Sequence, residues 1–366
     1  MVTQLALATL EVNTLNISSY PTTRYQGSKR KLLPFLDQHL SKLQYSSALD
    51  LFSGSGIVSL YFRSQGVDVH ANDYMRFSTL CSKVLCRLDA KTLEYCNHKQ
   101  NLTYLLDEAS IITTPLVYEH YKSIYFTDEE NLQIDRFCQN VDAFDKNIRE
   151  LYIYLLGQAL LKKRPYNLFH RANLHIREAK VERKFGNAKT WETPFLDHCI
   201  SELKQLSNSV VVETPPVEFG LSNLNVSVEN VSNIPNKYDL VYMDPPYIDS
   251  NNKAIDYSDF YHFLEGMFDY SLFNVSSHPK KHKPMVSYVS DWSGVPSTFN
   301  ALKAVATHFK KATLAFCYRS DSPIEISMLV SLLREHRDDV QVYYEHNYKY
   351  ALSRQRECSE VLIIAR

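Results

Sequence analysis

Glycine is scarce in this 366-residue chain, which contains only nine. Four of the nine, Gly27, Gly54, Gly56 and Gly66, fall close together near the start of the chain. Glycine occurs where a backbone must turn tightly or approach a ligand closely. The clustering therefore indicates that residues 25–66 contain the first ligand-facing region.

The chain also has no marked excess of positive or negative charge. The 40 basic and 41 acidic residues give a formal net charge of −1, so any affinity for nucleic acid has to come from a local basic patch. The seven cysteines are odd in number and contain no CxxC pair, which argues against a full disulfide framework and favours reduced, buried thiols.

Long hydrophobic runs are missing as well. No segment reaches the roughly 18 consecutive apolar residues of a membrane span. The first thirteen residues, MVTQLALATLEVN, lack the basic start and long apolar stretch of a secretory signal. We therefore expect a cytoplasmic protein that does not contact a membrane.

The hydrophobic pattern that is present alternates between strands and helices. Residues 46–52 predict a strand, residues 57–66 a helix, and residues 67–73 a second strand, which together form a right-handed parallel βαβ unit. Later strands are predicted at 224–231, 238–243, 284–289, 313–319, 340–346 and 360–365, with helices around 258–272, 297–310 and 323–336. This order predicts an α/β fold whose mostly parallel sheet is covered on both faces and ends in an antiparallel hairpin.

Residues 91–222 break this pattern, because they contain few strand-like runs and several helical ones. We interpret them as a mainly helical insert. The domains predicted are thus residues 1–90 with 223–366, and the insert 91–222.

The stretch LDLFSGSG, residues 49–56, places Asp50 at a strand end and Gly54 and Gly56 at the turn into a helix. Such a turn suits the polar tail of a nucleotide-like cofactor, although it serves a plain strand-to-helix connection equally well. Asp73 ends the next strand, where it can accept hydrogen bonds from ribose hydroxyls or cap the following helix.

Two further segments carry polar groups in constrained positions. In RYQGSKRKL, Tyr25 and Lys29 could hold an amino-acid-like moiety, or the segment is simply a solvated basic helix start. In YMDPPYI, residues 242–248, Pro245 and Pro246 cannot extend a central strand and instead present Asp244 in a stiff loop.

The basic patch lies inside the insert. Between Lys162 and Lys184 eight basic residues stand against two acidic ones. A run of this kind is either a solvated helical face or a grip on phosphates. The candidate DNA contacts in it are Arg164, Asn167, His170, Arg171, Asn173 and Arg177.

These four motifs, in this order around an insert, resemble the Dam-like group of DNA adenine methyltransferases. The resemblance covers most of residues 24–90 and 224–366, whereas the insert matches only in its placement and in RPYNLFHRANLHIR. It implies a Rossmann-like methyltransferase sheet, S-adenosylmethionine as cofactor, no metal, and double-stranded DNA as partner. The insert would be a target-recognition domain.

The resemblance also implies roles for single residues. The cofactor contacts carried over are Tyr25, Gly27, Lys29, Asp50, Phe52, Gly54, Gly56, Asp73 and Asp244, and Asn230 is placed at the position that reads the cofactor's adenine. Asp244 and the carbonyl of Pro245 would accept hydrogen bonds from the target amine, held in place by Pro246. Tyr247 would stack on a base flipped out of the duplex.

Other functions stay open at this stage. N4-cytosine methylation uses a similar loop, commonly with serine in place of the aspartate, and a non-catalytic nucleotide- or DNA-binding relative would keep the same fold. Cytosine C5 methylation is excluded because no cysteine follows a proline, and a dehydrogenase is disfavoured because FSGSG lacks GxGxxG spacing. We expect a monomer, with any cognate restriction endonuclease acting separately.

Overall fold

The computed structural model describes residues 15–106, 111–181, 187–212, 217–249, 252, 254–275, 278–285, 288–346 and 358–366. Within these residues, seven strands form one sheet in the order β3-β2-β1-β4-β5-β7-β6. The strands are β1 (Ser47–Asp50), β2 (Asp68–Asn72), β3 (Phe219–Ser222), β4 (Leu240–Met243), β5 (Thr313–Arg319), β6 (Val340–Glu345) and β7 (Glu360–Ala365). The first five are parallel, and β7 runs antiparallel to both β5 and β6. The predicted fold class is confirmed.

Helices cover both faces of this sheet. They are α1 (Leu33–Leu40), α2 (Ile57–Ser64), α3 (Arg76–Arg87), α4 (Ala90–Cys96), α5 (Lys99–Leu106), α6 (Leu116–His120), α7 (Asp128–Asn140), α8 (Lys146–Lys163), α9 (Leu174–Glu178), α10 (Asn187–Glu192), α11 (Phe195–Ser207), α12 (Tyr257–Glu265), α13 (Val295–His308) and α14 (Ile326–Arg334). No helix in the described ranges is long and apolar enough to cross a membrane. All seven cysteines are buried and free, as predicted.

Alternate residues of each strand enter two different cores, because successive side chains of a strand point to opposite faces. In β1, Ala48 packs with α1, α2 and the helices between β2 and β3, whereas Leu49 packs with α13 and α14. In β7, Leu362 belongs to the first core and Ile363 to the second. Burial on both sides explains why these central strands read as continuous apolar runs.

Two predicted strands are wrong. The third strand is Phe219–Ser222, and residues 224–231 form a loop and a short 3-10 turn instead. β3 is a half-buried edge strand containing Gly220, so it lacks the apolar pattern that marks the central strands. In 284–289, the four residues that the structure describes are irregular, and residues 286–287 lie outside the described ranges.

All the regular elements that the structure describes between β2 and β3 are helices, and they are joined by irregular segments. The longest of these helices, α8, is buried nearly all round and packs on α3. A Cβ at Gly157 of α8 would collide with the ring of Phe77 in α3, so the two helices are in close contact at this point. Because β3 pairs with β2, residues 219–222 belong to the sheet and not to the insert.

Candidate active site

A cleft lies at the carboxyl ends of β1 and β4. These strands are neighbours, but β1 connects to β2 on one side while β4 connects onward to β5 on the other. Ligands of open α/β sheets bind at such a switch point. The cleft has an empty volume of about 540 Å³, which includes space open to solvent. Of the predicted site residues, it is lined by Tyr25, Gly27, Lys29, Asp50, Phe52, Gly54, Asp73, Asp244 and Pro246.

The glycine turn after β1 forms one wall of the cleft. Gly54 and Gly56 adopt φ values of 48° and 73°, which side chains disfavour. A Cβ at Gly54 would lie 3.1 Å from the ring of Tyr25, and one at Gly56 would lie 2.7 Å from the backbone of Ser82. Both glycines are therefore required by close packing as well as by their dihedral angles.

Asp73 braces this turn from the end of β2. Its carboxylate accepts hydrogen bonds from the backbone N–H of Gly54 and of Met75, both at 2.9 Å. The first bond ties the carboxylate to the glycine turn. The second closes a turn just before α3, whose N-cap is Met75 and receives no side-chain cap, so the predicted capping of this helix by Asp73 is wrong. Burial raises the pKa of Asp73 to about 6, against the effect of these hydrogen bonds.

Two buried polar atoms in the cleft have no hydrogen-bond partner among the described residues. They are Oδ1 of Asp50 and Oγ of Ser53. The other oxygen of Asp50 accepts a 2.7 Å hydrogen bond from Ser59. Burial raises the pKa of Asp50 to about 7, with Asp244 and Asp73 adding to the rise. An unpartnered buried polar atom is costly, so this wall fits a ligand that carries polar or cationic groups.

Tyrosine rings form another wall. Tyr25 stacks on Tyr261 with ring centroids 4.6 Å apart and on Tyr257 at 5.8 Å. Tyr257 begins α12 and lines the cleft, and its hydroxyl lies 2.8 Å from where a Cβ at Gly27 would be. Sequence reasoning missed Tyr257, although its position soon after DPPY at a helix start was a usable signal.

Lys29 contacts the DPPY loop directly. Its ammonium lies 2.6 Å from Oδ2 of Asp244 and 2.9 Å from the hydroxyl of Tyr247. Burial alone would lower the pKa of Lys29, but the carboxylates of Asp244 and Glu360 outweigh it and raise that pKa above its usual value. Lys29 was predicted to pair with a cofactor carboxylate, whereas here it pairs with the aspartate that follows β4.

The hydroxyl of Tyr247 lies within hydrogen-bond distance of two carboxylates. The hydroxyl lies 2.8 Å from Oδ1 of Asp244 and 2.7 Å from Oε1 of Glu360, and the ring packs edge-on against Tyr318. Its predicted stacking on a flipped base stays a prediction. Glu360, missed from the sequence because it begins a strand far along the chain, is part of the same cluster.

The predicted DNA contacts divide into two groups. Arg164 is buried, and its guanidinium donates hydrogen bonds to the carbonyls of Tyr125, Leu168 and Arg171 at 2.6–3.1 Å. Contrary to expectation, it braces the loop of residues 164–173 from inside and has no side open to a phosphate. Arg177 likewise forms a two-point pair with Glu130, with its side chain 7% exposed.

Some other residues of the loop of residues 164–173 lie nearer the surface. Tyr166 is 64% exposed, and Tyr166 and Asn167 have φ values of 63° and 57°. Arg171 is exposed, whereas Asn173 is buried. Half-buried His170 packs on Phe260 of α12, which links the loop to the DPPY side of the cleft. Tyr166 was not among the predicted contacts. Arg183 and Lys184 of the basic patch lie outside the described residues.

Asn230 does not line the cleft. Its side chain accepts from the N–H of Ser227 and donates to the carbonyl of Asn225, so it closes a local turn. The misplacement follows from the wrong strand. Because β3 ends at Ser222, the residue at the carboxyl edge is Asn223, whose side chain donates to the carbonyl of Asp73 at 2.7 Å.

Comparison with known proteins agrees with this geometry. Residues 25–313, well over half of the chain, match the D12 class N6 adenine-specific DNA methyltransferase family. The chain is also 26% identical over 301 residues to the Type II methyltransferase M.NlaIII of Neisseria lactamica, covering 76% of this chain and 78% of that protein. The chain therefore belongs to the D12 class of N6 adenine-specific DNA methyltransferases and is an adenine DNA methyltransferase that uses S-adenosylmethionine as its methyl donor.

Proposed function

We propose that the methylated base is an adenine flipped out of double-stranded DNA, and that its amine is held at Asp244. One observation carries this proposal. Asp244 follows β4 and lines the same cleft as Asp50 and Ser53, whose buried atoms Oδ1 and Oγ have no hydrogen-bond partner among the described residues. A methyl donor bound beside Asp50 and Ser53 would therefore lie next to an amine held at Asp244.

The wall formed by Asp50 and Ser53 fits S-adenosylmethionine. Oδ1 of Asp50 and Oγ of Ser53 would accept hydrogen bonds from its ammonium group. The carboxylate of Asp73 would accept a hydrogen bond from a ribose hydroxyl. Asn223 replaces Asn230 as the residue proposed near the cofactor's adenine, because it follows β3 and contacts Asp73, which lines the cleft, although Asn223 itself does not line it. When bound, the cofactor supplies an activated methyl group.

The DPPY loop prepares the amine. The lone pair of adenine N6 is delocalised into the ring, so the amine is a poor nucleophile. Hydrogen bonds from N6 to Asp244 and to the carbonyl of Pro245 would draw the nitrogen toward tetrahedral geometry and free its lone pair. Pro246 stiffens the loop, so little rearrangement is needed as positive charge develops. Tyr247 would stack on the base.

Asp244→Ala tests this assignment. We expect methyl transfer from labelled S-adenosylmethionine to DNA to fall by about a hundred- to a thousandfold, as when an oriented polar group is removed from a catalytic centre. Calorimetry should show cofactor affinity within a few-fold of wild type. Nucleoside analysis of wild-type product should give N6-methyladenine. N4-methylcytosine as the sole product, or an active Asp244→Ala enzyme, would contradict the proposal.

The DNA-facing surface proposed is the outer part of the loop of residues 164–173, with Tyr166, Asn167, His170 and Arg171. Arg171→Ala should weaken DNA binding and reduce the slope of log affinity against log salt by about 0.9, since one phosphate contact is lost. Lys311→Ala is the matched control, because Lys311 is equally exposed but precedes β5 at the opposite edge of the sheet. Equal salt slopes for Arg171→Ala and wild type would remove this loop from the DNA interface.

The remaining expectations concern the whole protein. The helical insert acts as the target-recognition domain, since it carries that loop. The chain works as a monomer in the cytoplasm, where its DNA lies, and any cognate restriction endonuclease acts separately. Size-exclusion chromatography with light scattering, with and without DNA, tests the monomer.

A further inference from the structure

Glu360 occupies an unusual position for a carboxylate. It is the first residue of β7, and because β7 is antiparallel its first residue lies at the carboxyl edge of the parallel strands, beside the cleft. Leu362 and Ile364 share its face of the strand and belong to the first hydrophobic core. Glu360 itself is fully buried. An acidic side chain thus lies at the end of a row of side chains, on one face of β7, that is otherwise apolar.

The carboxylate of Glu360 reaches the two residues that hold Asp244. Its Oε1 lies 2.7 Å from the hydroxyl of Tyr247 and 3.5 Å from the ammonium of Lys29. Tyr247 and Lys29 in turn contact the two oxygens of Asp244, one each. Lys29 and Tyr247 therefore each contact two carboxylates, that of Asp244, which lines the cleft, and that of Glu360, which does not.

This double contact matters because of charge. Methyl transfer places positive charge on the amine held at Asp244, and a buried ammonium 2.6 Å from that aspartate opposes this charge. A second carboxylate on the far side of Lys29 offsets the ammonium. With Lys29, Asp244 and Glu360 all ionised, the cluster has a net charge of −1 and favours a developing cation.

We infer that Glu360 is a positioning residue for methyl transfer. It balances the charge of Lys29 and fixes the hydroxyl of Tyr247, so that Asp244 remains a strong acceptor of hydrogen bonds from the amine. This inference rests on the proposed role of Asp244. Glu360 does not touch the base or the cofactor and acts through Lys29 and Tyr247.

Other polar groups also face this cluster. Tyr242 of β4 and Cys317 of β5 lie on the same side of the sheet and bond to each other through the phenol and the thiol at 3.2 Å. Arg319 and Glu345 are the cross-strand neighbours of Glu360 on β5 and β6, and Arg319 is paired with Asp321. Among these groups, Lys29 is the cation in direct contact with Asp244.

The test is a cycle of charge-removing variants that keep side-chain shape. In single turnover with saturating cofactor and DNA, Glu360→Gln should slow methyl transfer by about tenfold or more, with both dissociation constants within about threefold of wild type. Lys29→Gln should also be slow, because the carboxylates of Asp244 and Glu360 repel each other once the ammonium between them is removed, which displaces Asp244 from the position in which it accepts from the amine. Lys29→Gln/Glu360→Gln restores a net charge of −1 and should be faster than Lys29→Gln alone. Glu360→Gln would then slow methyl transfer in the wild-type background but speed it in the Lys29→Gln background. Such a reversal is not expected if both substitutions merely damage the structure.

Several outcomes would overturn the inference. One is wild-type methyl transfer by Glu360→Gln, and another is a double variant slower than Lys29→Gln. If Glu360→Gln does not fold, the comparison of Lys29→Gln with the double variant still decides, since the double variant leaves no unpaired ammonium. Glu202→Gln is the matched control, because Glu202 is a buried carboxylate paired with Lys162 in the insert, and its methyl-transfer rate should equal that of wild type.

Failure of the proposed function is distinguishable from failure of this inference. If Asp244→Ala remains active, the catalytic assignment itself is wrong. If Asp244→Ala is inactive but Glu360→Gln equals wild type, Asp244 acts without Glu360.

Discussion

Burial of carboxyl groups in the cleft makes the ligand-free protein sensitive to pH. Burial raises the pKa of Asp50 to about 7 and that of Asp73 to about 6. A carboxyl group with a higher pKa in the folded state binds its proton more tightly there than in the unfolded chain. The free energy of unfolding should therefore fall as the pH rises from about 4 to about 7, where these groups ionise in the folded protein.

Asp50→Asn tests this at the residue scale. At pH 7.5 the ligand-free variant should unfold with a free energy about 1–2 kcal/mol higher than wild type, because no buried charge forms. At pH 4.5 the two proteins should be nearly equal. Urea denaturation at both pH values measures this, and calorimetry should show weakened binding of S-adenosylmethionine. A variant less stable than wild type at pH 7.5 would contradict the prediction.

Asp239→Asn is a control with the opposite sign. Hydrogen bonds from the backbone of Ser46 and from Ser47 lower the pKa of Asp239, so its contribution to stability is present at neutral pH and is lost as the pH falls. Asp239→Asn should therefore be less stable than wild type at pH 7.5. The difference between the two proteins should shrink below about pH 4.

Residues whose role is fixed by local backbone chemistry were predictable from the sequence. Gly54, Gly56 and Asp244 line or support the cleft because a tight turn needs glycine and a proline pair ends a strand. Arg164 and Lys29 were not predictable in this way. A long cationic side chain can reach either solvent or a buried acceptor, and only tertiary packing decides which.

At the scale of elements, the turn between β1 and α2 depends on close approach to α3. A Cβ at Gly56 would lie 2.7 Å from backbone atoms of Ser82, and backbone cannot rotate away as a side chain can. Its φ of 73° adds strain for any other residue. The position therefore combines two costs, one from the dihedral angle and one from packing.

Gly56→Ala should lower the free energy of unfolding by about 3 kcal/mol and weaken binding of S-adenosylmethionine. Gly66→Ala is the matched control, because Gly66 has a similar φ of 79° but no atom within 4 Å of an added Cβ. It should cost only about 1 kcal/mol and leave cofactor affinity unchanged. Urea denaturation and calorimetry on both variants measure the difference. Equal losses would show that packing against Ser82 is unimportant.

The central strands were predictable, and of the two edge strands β6 was predicted whereas β3 was not. β1, β4, β5 and β7 are buried on most positions and appear as short apolar runs bounded by turns. β3 gave no such signal, because an edge strand with half-exposed side chains needs little hydrophobic pattern. Because this strand was predicted at 224–231, the polar residue expected near the cofactor was assigned to Asn230, which does not line the cleft.

At the scale of the whole molecule, the insert and the sheet share one hydrophobic core. Residues from α1–α3, from α4–α8 and from α11 belong to the same buried cluster, and Gly157 and Phe77 are packed closely across it. A separate recognition module would have its own core and few contacts with the sheet. We therefore expect the described parts of the protein to unfold as one cooperative unit.

The two tryptophans of the chain report on the two parts separately. Trp191 is on α10 of the insert, and Trp292 is buried beside Phe52 of the cleft. In Trp292→Phe and Trp191→Phe, the remaining fluorescence and the circular dichroism should give the same urea midpoint within each variant. A Trp191 signal that changes at a lower urea concentration than the dichroism would mean that the insert unfolds alone.

The cofactor provides the stronger test, since the cleft proposed to bind it lies at the carboxyl ends of β1 and β4 and not in the insert. At a free concentration about 100 times its dissociation constant, S-adenosylmethionine should stabilise the folded protein by about 2.7 kcal/mol. If unfolding is cooperative, the midpoint reported by Trp191 in Trp292→Phe should rise by the full amount, although α10 lies outside the cleft. A midpoint for Trp191 that does not move, while the dichroism midpoint does, would show that the insert unfolds independently of the catalytic sheet.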